Sequence, residues 1–252
     1  MAMPTTPFFK DATLHEIRVM RLCVAANIIV ISCCAFYLGR HFAAAALGLP
    51  SLLAALLLGY FLADFSSGMV HWVIDTWLDE RALGRAIAIT REHHVHPDHV
   101  DGYGFLEYAS VGSAPSAVLF GGACAVTALF PVSAATYVLM ILWLVNSVCL
   151  LFGISLHNLA HRPARSGIMR LAQRLHLVCP PAHHWVHHRD HTVHYCVVNG
   201  WANYVCDGLD FWRGLERVIE AVTGRVPRAD EAEWRRRLEE IGVLAVPRRP
   251  AA

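Results

Sequence analysis

Four long apolar stretches constrain this chain more than any other feature of its sequence. They cover about residues 22–38, 42–65, 111–130 and 134–156, and Lys and Arg occur only at their ends. A helix needs about 20 apolar residues to cross the hydrocarbon core of a bilayer. Only 16% of the 252 residues are charged, well below the share in an ordinary soluble domain. We therefore predict an all-α membrane protein with about four transmembrane helices.

The distribution of basic residues predicts the orientation of these helices. The connection between the third and fourth stretches has no Lys or Arg, and the connection between the first and second has only Arg40. The remaining basic residues lie near the N-terminus, within residues 64–110 and after Leu156. Because cytoplasmic loops are enriched in Lys and Arg, we expect a multi-pass protein of a bacterial inner membrane with both termini in the cytoplasm.

Composition and charge limit the remaining organisation. A net charge of +1 gives no reason to expect a nucleic-acid partner. The eight cysteines contain no CxxC pair, so we expect neither a disulfide framework nor a cysteine-based zinc site. We divide the chain into a cytoplasmic segment at 1–21, one membrane domain at 22–230 and a charged tail at 231–252. Residues 166–178 have the pattern of an amphipathic helix at the membrane interface.

Histidine is the second unusual feature of the sequence. Fifteen of the sixteen histidines lie on the side predicted to be cytoplasmic, which predicts a histidine-rich helical cap on the membrane helices. The clustered ones recur at spacings of one, three or four residues, and spacings of three or four place side chains on one helical face. These clusters are His71 with Asp75, His93 with His94, His157 with His161, and His184 with His187 and His188.

Eight clustered histidines point to more than one metal ion. Neutral imidazole is the commonest protein ligand for transition metals. A tetrahedral zinc site uses four ligands, whereas eight suit two ions with four or five nitrogen ligands each, as in an iron pair that activates dioxygen. Asp75 either binds the metal or orients His71, and we favour the orienting role. His183 and His191 are further candidate ligands, and Asp64 either belongs to the site or caps or pairs locally.

Tryptophan and arginine leave two interpretations open. Trp72, Trp77 and Trp185 either line a lipid pocket or anchor the protein at the interface, and we favour anchors. The arginines that follow the fourth stretch could bind lipid phosphates or an acidic electron carrier, although a general positive-inside bias explains them equally well. These arginines are Arg162, Arg165, Arg170 and Arg174.

The order and spacing of the four clusters resemble the plasmanylethanolamine desaturase family, also called the Kua-type lipid desaturases. The resemblance covers roughly residues 60–230. It is carried by residues 63–77, 91–94, 157–161 and 183–188, and then by Tyr195-Cys196, Gly200-Trp201, Asn203-Tyr204, Phe211-Trp212-Arg213 and the segment 227–230.

This resemblance implies a membrane oxidoreductase with two iron ions, dioxygen as co-substrate and two electrons from an external carrier of the cytochrome b5 or ferredoxin type. It implies that the ligands are His71, His93, His94, His157, His161, His184, His187 and His188. The implied reaction converts the 1-O-alkyl chain of a membrane phospholipid to a vinyl ether, which is plasmalogen synthesis.

Three alternatives stay open at the level of sequence. Two use the same chemistry: desaturation of a phospholipid acyl chain, and hydroxylation of a lipid. The third is a metal transporter or sensor, but the apolar stretches carry no histidine at mid-depth, where transporters place polar ligands.

Overall fold

A computed structural model describes residues 12–78, 104–162, 164 and 166–229 of the chain. It also describes eight single residues, which are Ile87, Thr90, Arg91, His93, His94, Pro97, Ala232 and Arg236. The predicted tail at 231–252 therefore lies outside the described residues except for Ala232 and Arg236, and Arg165 lies outside them as well.

The described part of the chain is helical, and four of its helices are long and apolar enough to cross a membrane. They are α1 (Leu14–Ala45), α2 (Leu49–Trp77), α3 (Phe105–Ala128) and α4 (Ala134–Leu151). Large apolar side chains such as Leu22, Phe36, Leu57 and Leu119 are exposed on these helices, as expected where lipid replaces water around the bundle. The predicted all-α membrane fold is thus confirmed.

The helix ends differ from those predicted from hydropathy. Helix α1 begins at Leu14, where Thr13 and Glu16 form a capping box, and it continues through Arg40 to Ala45. The first connection is therefore at 46–48 and not at 39–41. Nothing in residues 39–41 breaks a helix, whereas Ala46 adopts a left-handed conformation and Pro50 occupies the first turn of α2.

The last two membrane helices also have shifted ends. Helix α3 begins at Phe105, six residues before the predicted start, where the Glu107 carboxylate accepts a hydrogen bond from the backbone N–H of the N-cap residue Gly104 at 2.7 Å. Helix α4 ends at Leu151, and α5 (Gly153–Ala160) follows after a break at Phe152. The predicted continuous span to residue 156 is thus two helices, and the second of them carries His157.

Polar side chains join the helices inside the bundle. Asn27 of α1 is fully buried, donates to Ser113 Oγ and the Ser147 carbonyl, and accepts from Ser116 Oγ. Gly112 allows α3 to approach the end of α4, because a Cβ there would lie 2.1 Å from the Leu150 carbonyl oxygen. Small residues and hydrogen bonds of this kind hold helices together where lipid supplies no hydrophobic driving force.

Short helices cover one end of the bundle, where α1 and α3 begin and α2 and α4 end. They are α5, α6 (Gly167–Arg174), α7 (Pro181–Arg189), α8 (Trp201–Gly208) and α9 (Phe211–Thr223). Helix α6 and the following Leu175 expose Ile168, Leu171 and Leu175 beside Arg170 and Arg174, which agrees with the amphipathic pattern predicted for this segment.

Asp64 attaches this cap to the membrane bundle. Its Oδ1 accepts hydrogen bonds from the backbone N–H groups of Val198, Asn199 and Gly200 at 2.9–3.0 Å, and its Oδ2 accepts from Ala202 at 2.9 Å. A fully buried carboxylate is thereby satisfied by backbone donors alone. Asp64 therefore neither caps nor pairs locally, because the backbone segment that it holds lies more than 130 residues away in sequence.

A second contact holds the C-terminal segment against α2. Arg228 makes a bidentate ion pair with Glu216 at 3.0–3.1 Å, and its guanidinium also donates to Thr76 Oγ1. Trp72 Nε1 donates to the same Glu216 carboxylate. Trp72 is only 2% exposed and packs beside Trp212, so it is a core residue and not the interfacial anchor that the sequence favoured.

Candidate metal centre

The eight predicted histidine ligands and Asp75 converge at the capped end of the bundle. They form two groups, within each of which the potential ligand atoms all lie within 4.8 Å of one another. The five-histidine group consists of His93, His157, His161, His184 and His188. The aspartate group consists of His71, Asp75, His94 and His187. The rings of His71 and His157 are 5.6 Å apart, so the two groups are neighbours.

Helical spacing and the break in α4 produce this convergence. His71 and Asp75 occupy one face at the end of α2, and His157 and His161 occupy one face at the end of α5. Helix α7 separates its ligands: His184 and His188, four residues apart, join the five-histidine group, whereas His187 joins the aspartate group. One short helix therefore contributes to both groups.

The five-histidine group has the nitrogen spacing of a coordination shell. The Nε2 atom of His184 lies 2.8 Å from that of His157, 3.1 Å from that of His161 and 3.0 Å from that of His188. Two nitrogen ligands about 2.1 Å from one ion and at right angles to each other lie about 3.0 Å apart. The observed Nε2 spacing therefore fits a metal ion with more than four ligands.

The aspartate group converges in the same way around a carboxylate. Asp75 Oδ2 lies 3.2 Å from His71 Nε2 and 3.5 Å from the Nε2 atoms of His94 and His187. The Nε2 atoms of His187 and His94 are 3.2 Å apart. Asp75 thus occupies the position of a ligand atom itself, in addition to contacting His71 as the sequence analysis favoured. The donor set of three imidazoles and one carboxylate suits iron, as well as other transition metals.

Backbone carbonyls fix the orientation of three rings. The Nδ1 atom of His71 pairs with the Tyr195 carbonyl at 3.0 Å, and that of His187 pairs with the Val193 carbonyl at 2.8 Å. His93 Nδ1 pairs with the Thr90 carbonyl. A carbonyl only accepts, so each Nδ1 carries the proton and each Nε2 keeps a lone pair for a metal ion. Sequence reasoning missed these partners because main-chain acceptors leave no residue-type signal.

Burial keeps the rings of the cap neutral. It lowers the pKa of His161 and His187 to about 4 and that of His188 to about 2, with neighbouring imidazoles as a further cause. The pKa values of the remaining described ligands outside the membrane helices fall well below 6.5 for the same reasons; these are His93, His94, His157 and His184. Neutral imidazole is the form that binds metal.

The two further candidate ligands lie in different places. The ring of His191 stacks on that of His94 with centroids 4.5 Å apart, so it adjoins the aspartate group without belonging to it. His183 belongs to neither group: its Nε2 accepts a hydrogen bond from Asn203 Nδ2 at 3.0 Å. Its ring packs against Gly200, where a Cβ would lie 2.7 Å from a ring carbon.

An apolar pocket reaches the two groups from within the bundle. Its walls come from all four membrane helices, from α5 and from Val197, and they are mainly apolar. His71, His93 and His157 lie at its polar end. The aliphatic side chains in its walls are Met20, Val70, Ile74, Val111, Leu150, Ile154 and Val197. Trp72, Trp77 and Trp185 are not among its lining residues.

Comparison with protein-family models matches residues 60–230 to the lipid desaturase domain. Plasmanylethanolamine desaturase 1 of Mus musculus is 30% identical over 209 residues, which cover 75% of this chain and 73% of the mouse protein. Plasmanylethanolamine desaturase of Myxococcus xanthus is 34% identical over 192 residues, which cover 71% of this chain and 64% of that protein.

A plant relative is more distant. Fatty acid desaturase 4 of Arabidopsis thaliana, a chloroplast protein, is 28% identical over 178 residues, which cover 68% of this chain and 52% of the plant protein. No solved structure matches the chain significantly.

Proposed function

Because the chain belongs to the lipid desaturase domain family, we propose that it is a membrane desaturase that converts the 1-O-alkyl chain of a phospholipid to a vinyl ether. Desaturation is an oxidation, so the chain is an oxidoreductase. The single observation that carries the proposal is the apolar pocket that ends at His71, His93 and His157, one or more ligands from each of the two groups. A hydrocarbon chain in this pocket lies directly against the candidate metal centre.

Two iron ions held by the five-histidine and aspartate groups would supply the oxidising chemistry. Such chemistry is needed because a methylene hydrogen is too weakly acidic for side-chain bases to remove. For each double bond, one dioxygen, two external electrons and two protons are consumed, the chain loses two hydrogen atoms, and two water molecules form. We propose that the electrons come from a carrier of the cytochrome b5 or ferredoxin type.

The residues of this chain contribute binding, orientation and exclusion of water. The aliphatic walls bind the hydrocarbon chain and keep bulk water from the centre. The carbonyls of Tyr195 and Val193 keep the protons of His71 and His187 on Nδ1, which aims both Nε2 atoms at the centre. We propose that the pocket lies at membrane depth, where a phospholipid chain enters without leaving the bilayer. We further propose that this end of the bundle faces the cytoplasm of a bacterial inner membrane.

The test is expression of the full chain in a host that makes alkyl ether phospholipids but no plasmalogens. We expect acid-labile vinyl ethers in the lipid mass spectrum of cells with the wild-type chain. His187→Ala should abolish them, because His187 is fully buried among the ligands. His15→Ala, which changes an exposed histidine at the start of α1, should leave the signal intact.

Other outcomes identify the alternatives. A new double bond or hydroxyl group in acyl lipids, without vinyl ethers, would keep the metal chemistry and change the substrate chain or the product. If lipids stay unchanged although a competent electron donor is present and the purified chain contains no iron, the desaturase proposal fails, and metal transport or sensing becomes the better hypothesis.

A further inference from the structure

The two ends of the centre differ in what they contact. His71, His93 and His157 line the apolar pocket, whereas His161 and His188 do not line it and are partly exposed. These two belong to the five-histidine group, so this group has one face toward the lipid pocket and another toward solvent. Electrons from a water-soluble carrier need such a solvent-facing side, since the pocket side is occupied by the hydrocarbon chain.

Trp185 lies on that solvent-facing side. Its side chain is 40% exposed, and its ring centroid lies 5.3 Å from that of His188. Among the described residues, Tyr195 also lies beside histidines of the two groups. Unlike Trp185, it is completely buried. Trp185 therefore provides an aromatic contact between the described surface and a candidate metal ligand.

The chain segment that contains Trp185 is rich in arginine. Residues 161–189 contain five arginines and no Asp or Glu. Each partly exposed histidine of the group is followed directly by one of them, His161 by Arg162 and His188 by Arg189. Asp190 is the next acidic residue. Its carboxylate accepts hydrogen bonds from the backbone N–H and the hydroxyl group of Thr192. A surface of this kind attracts an acidic partner and aligns it during encounter.

We propose that Trp185 and Arg189 form the docking site of an acidic one-electron carrier, and that electrons reach the five-histidine group through the Trp185 ring. The inference rests on the proposed desaturase function. Each turnover takes two electrons, delivered singly by two reduced carrier molecules, which leave oxidised; the two protons come from solvent. In this proposal Trp185 transfers electrons, whereas the sequence analysis favoured a role as an interfacial anchor.

The kinetic test uses the iron-loaded full chain in zwitterionic lipid nanodiscs. Reduction of its metal absorbance is followed anaerobically with two acidic carriers, the soluble haem domain of cytochrome b5 and a [2Fe–2S] ferredoxin, and separately with dithionite. Trp185→Leu should slow reduction by whichever carrier serves the wild type by about tenfold, leave the dithionite rate unchanged, and keep the iron content. Trp185→Phe should restore most of the carrier rate. Tyr204→Leu, which changes an exposed aromatic residue of α8, is the control.

The binding test uses the metal-free chain, so that it does not depend on turnover. Arg189→Gln should weaken binding of the same carrier by about threefold at low salt and reduce the salt dependence of binding. Arg225→Gln removes an exposed arginine beyond α9 and should leave binding unchanged.

Several results would overturn the proposal. The first is an equal rate of reduction by the carrier for the wild type and Trp185→Leu. The second is a loss of iron, or of reduction by dithionite, in Trp185→Leu. The third is a wild type that is reduced by dithionite but by neither carrier. An effect confined to anionic nanodiscs would assign Trp185 and Arg189 to lipid headgroups instead. The proposed function alone is tested by reducing the chain with dithionite, removing the excess reductant and adding dioxygen; vinyl ether formed in this single turnover should persist in Trp185→Leu even where electron delivery by the carrier is lost.

Discussion

The two ligand groups differ in charge, anchoring and exposure. The aspartate group contains a carboxylate, and two of its rings pair through Nδ1 with backbone carbonyls. The five-histidine group is formally neutral, and the buried Nδ1 atoms of His161, His184 and His188 have no hydrogen-bond partner among the described residues. It also contains two partly exposed candidate ligands, His161 and His188, whereas the aspartate group contains one, His94.

This difference suggests a division of work within one centre. A carboxylate and fixed imidazole tautomers raise the affinity of a site for a cation and restrict its geometry. Neutral, less anchored and partly exposed ligands hold a metal ion less tightly but allow contact with a carrier at the surface. We therefore expect the aspartate group to be the more rigid position and the five-histidine group to be the one that first accepts electrons.

The largest expected effect comes from removing the charge of the aspartate group. Asp75→Asn keeps the shape of the side chain but takes away the negative ligand atom that lies 3.2–3.5 Å from three Nε2 atoms. We expect activity to fall by about 100-fold or more, and metal analysis to find about one ion per chain lost.

His161→Ala is the matched variant in the other group. It leaves four imidazoles in place there, so its activity should fall by less than that of Asp75→Asn. The proposed difference between the groups fails if Asp75→Asn keeps both ions and normal activity.

We expect a smaller effect from a change at Asp64, whose carboxylate anchors the loop at residues 198–202. Asp64→Asn keeps the acceptor for three backbone N–H groups but turns an amide N–H₂ toward the N–H of Ala202. We expect a loss of about 2 kcal/mol in the free energy of unfolding. Displacement of the loop should also weaken the hydrogen bond between His71 Nδ1 and the Tyr195 carbonyl. A chelator should therefore remove metal from the aspartate group faster.

Thermal unfolding in detergent micelles measures the stability change. Asp210→Asn is the control, because it alters an exposed ion pair with Arg217 that contributes little. Unchanged stability and metal release in Asp64→Asn would show that the loop is held by other contacts.

The last expected effect, and the smallest per unit of pH, is the pH dependence of stability that His161 produces. The pKa of His161 is lowered to about 4 in the folded chain, whereas an unfolded histidine has about 6.5. As the pH falls from about 6.5 to about 4, the unfolded chain takes up the proton first. The stability of the metal-free chain should therefore fall with decreasing pH, by up to about 1.4 kcal/mol per pH unit for this residue.

His161→Gln isolates this contribution. Its unfolding free energy, measured across the same pH range, should change less steeply than that of the wild type. Parallel curves for the two proteins would mean that His161 is solvated in the folded chain and that the five-histidine group is more open than described.

The sequence determined the general architecture and the set of candidate ligands that the structure brings together. The length of the four apolar stretches predicts helices that suit a bilayer, because a helix satisfies its own backbone hydrogen bonds where no water is present. Spacings of three and four residues fix which histidines share a helical face, as in α7. The exact helix ends did not follow from hydropathy, since caps and breaks such as Thr13 and Phe152 set them.

Only the tertiary structure decided how these residues are used. It divided eight histidines into two groups, placed Asp75 among the ligand atoms and buried Trp72 in the core. It also turned Asp64 into the anchor of a loop more than 130 residues away. Each of these depends on contacts between segments that are distant in the chain, often with backbone atoms. Local residue types specify which groups are available, whereas packing of the helices decides which of them meet.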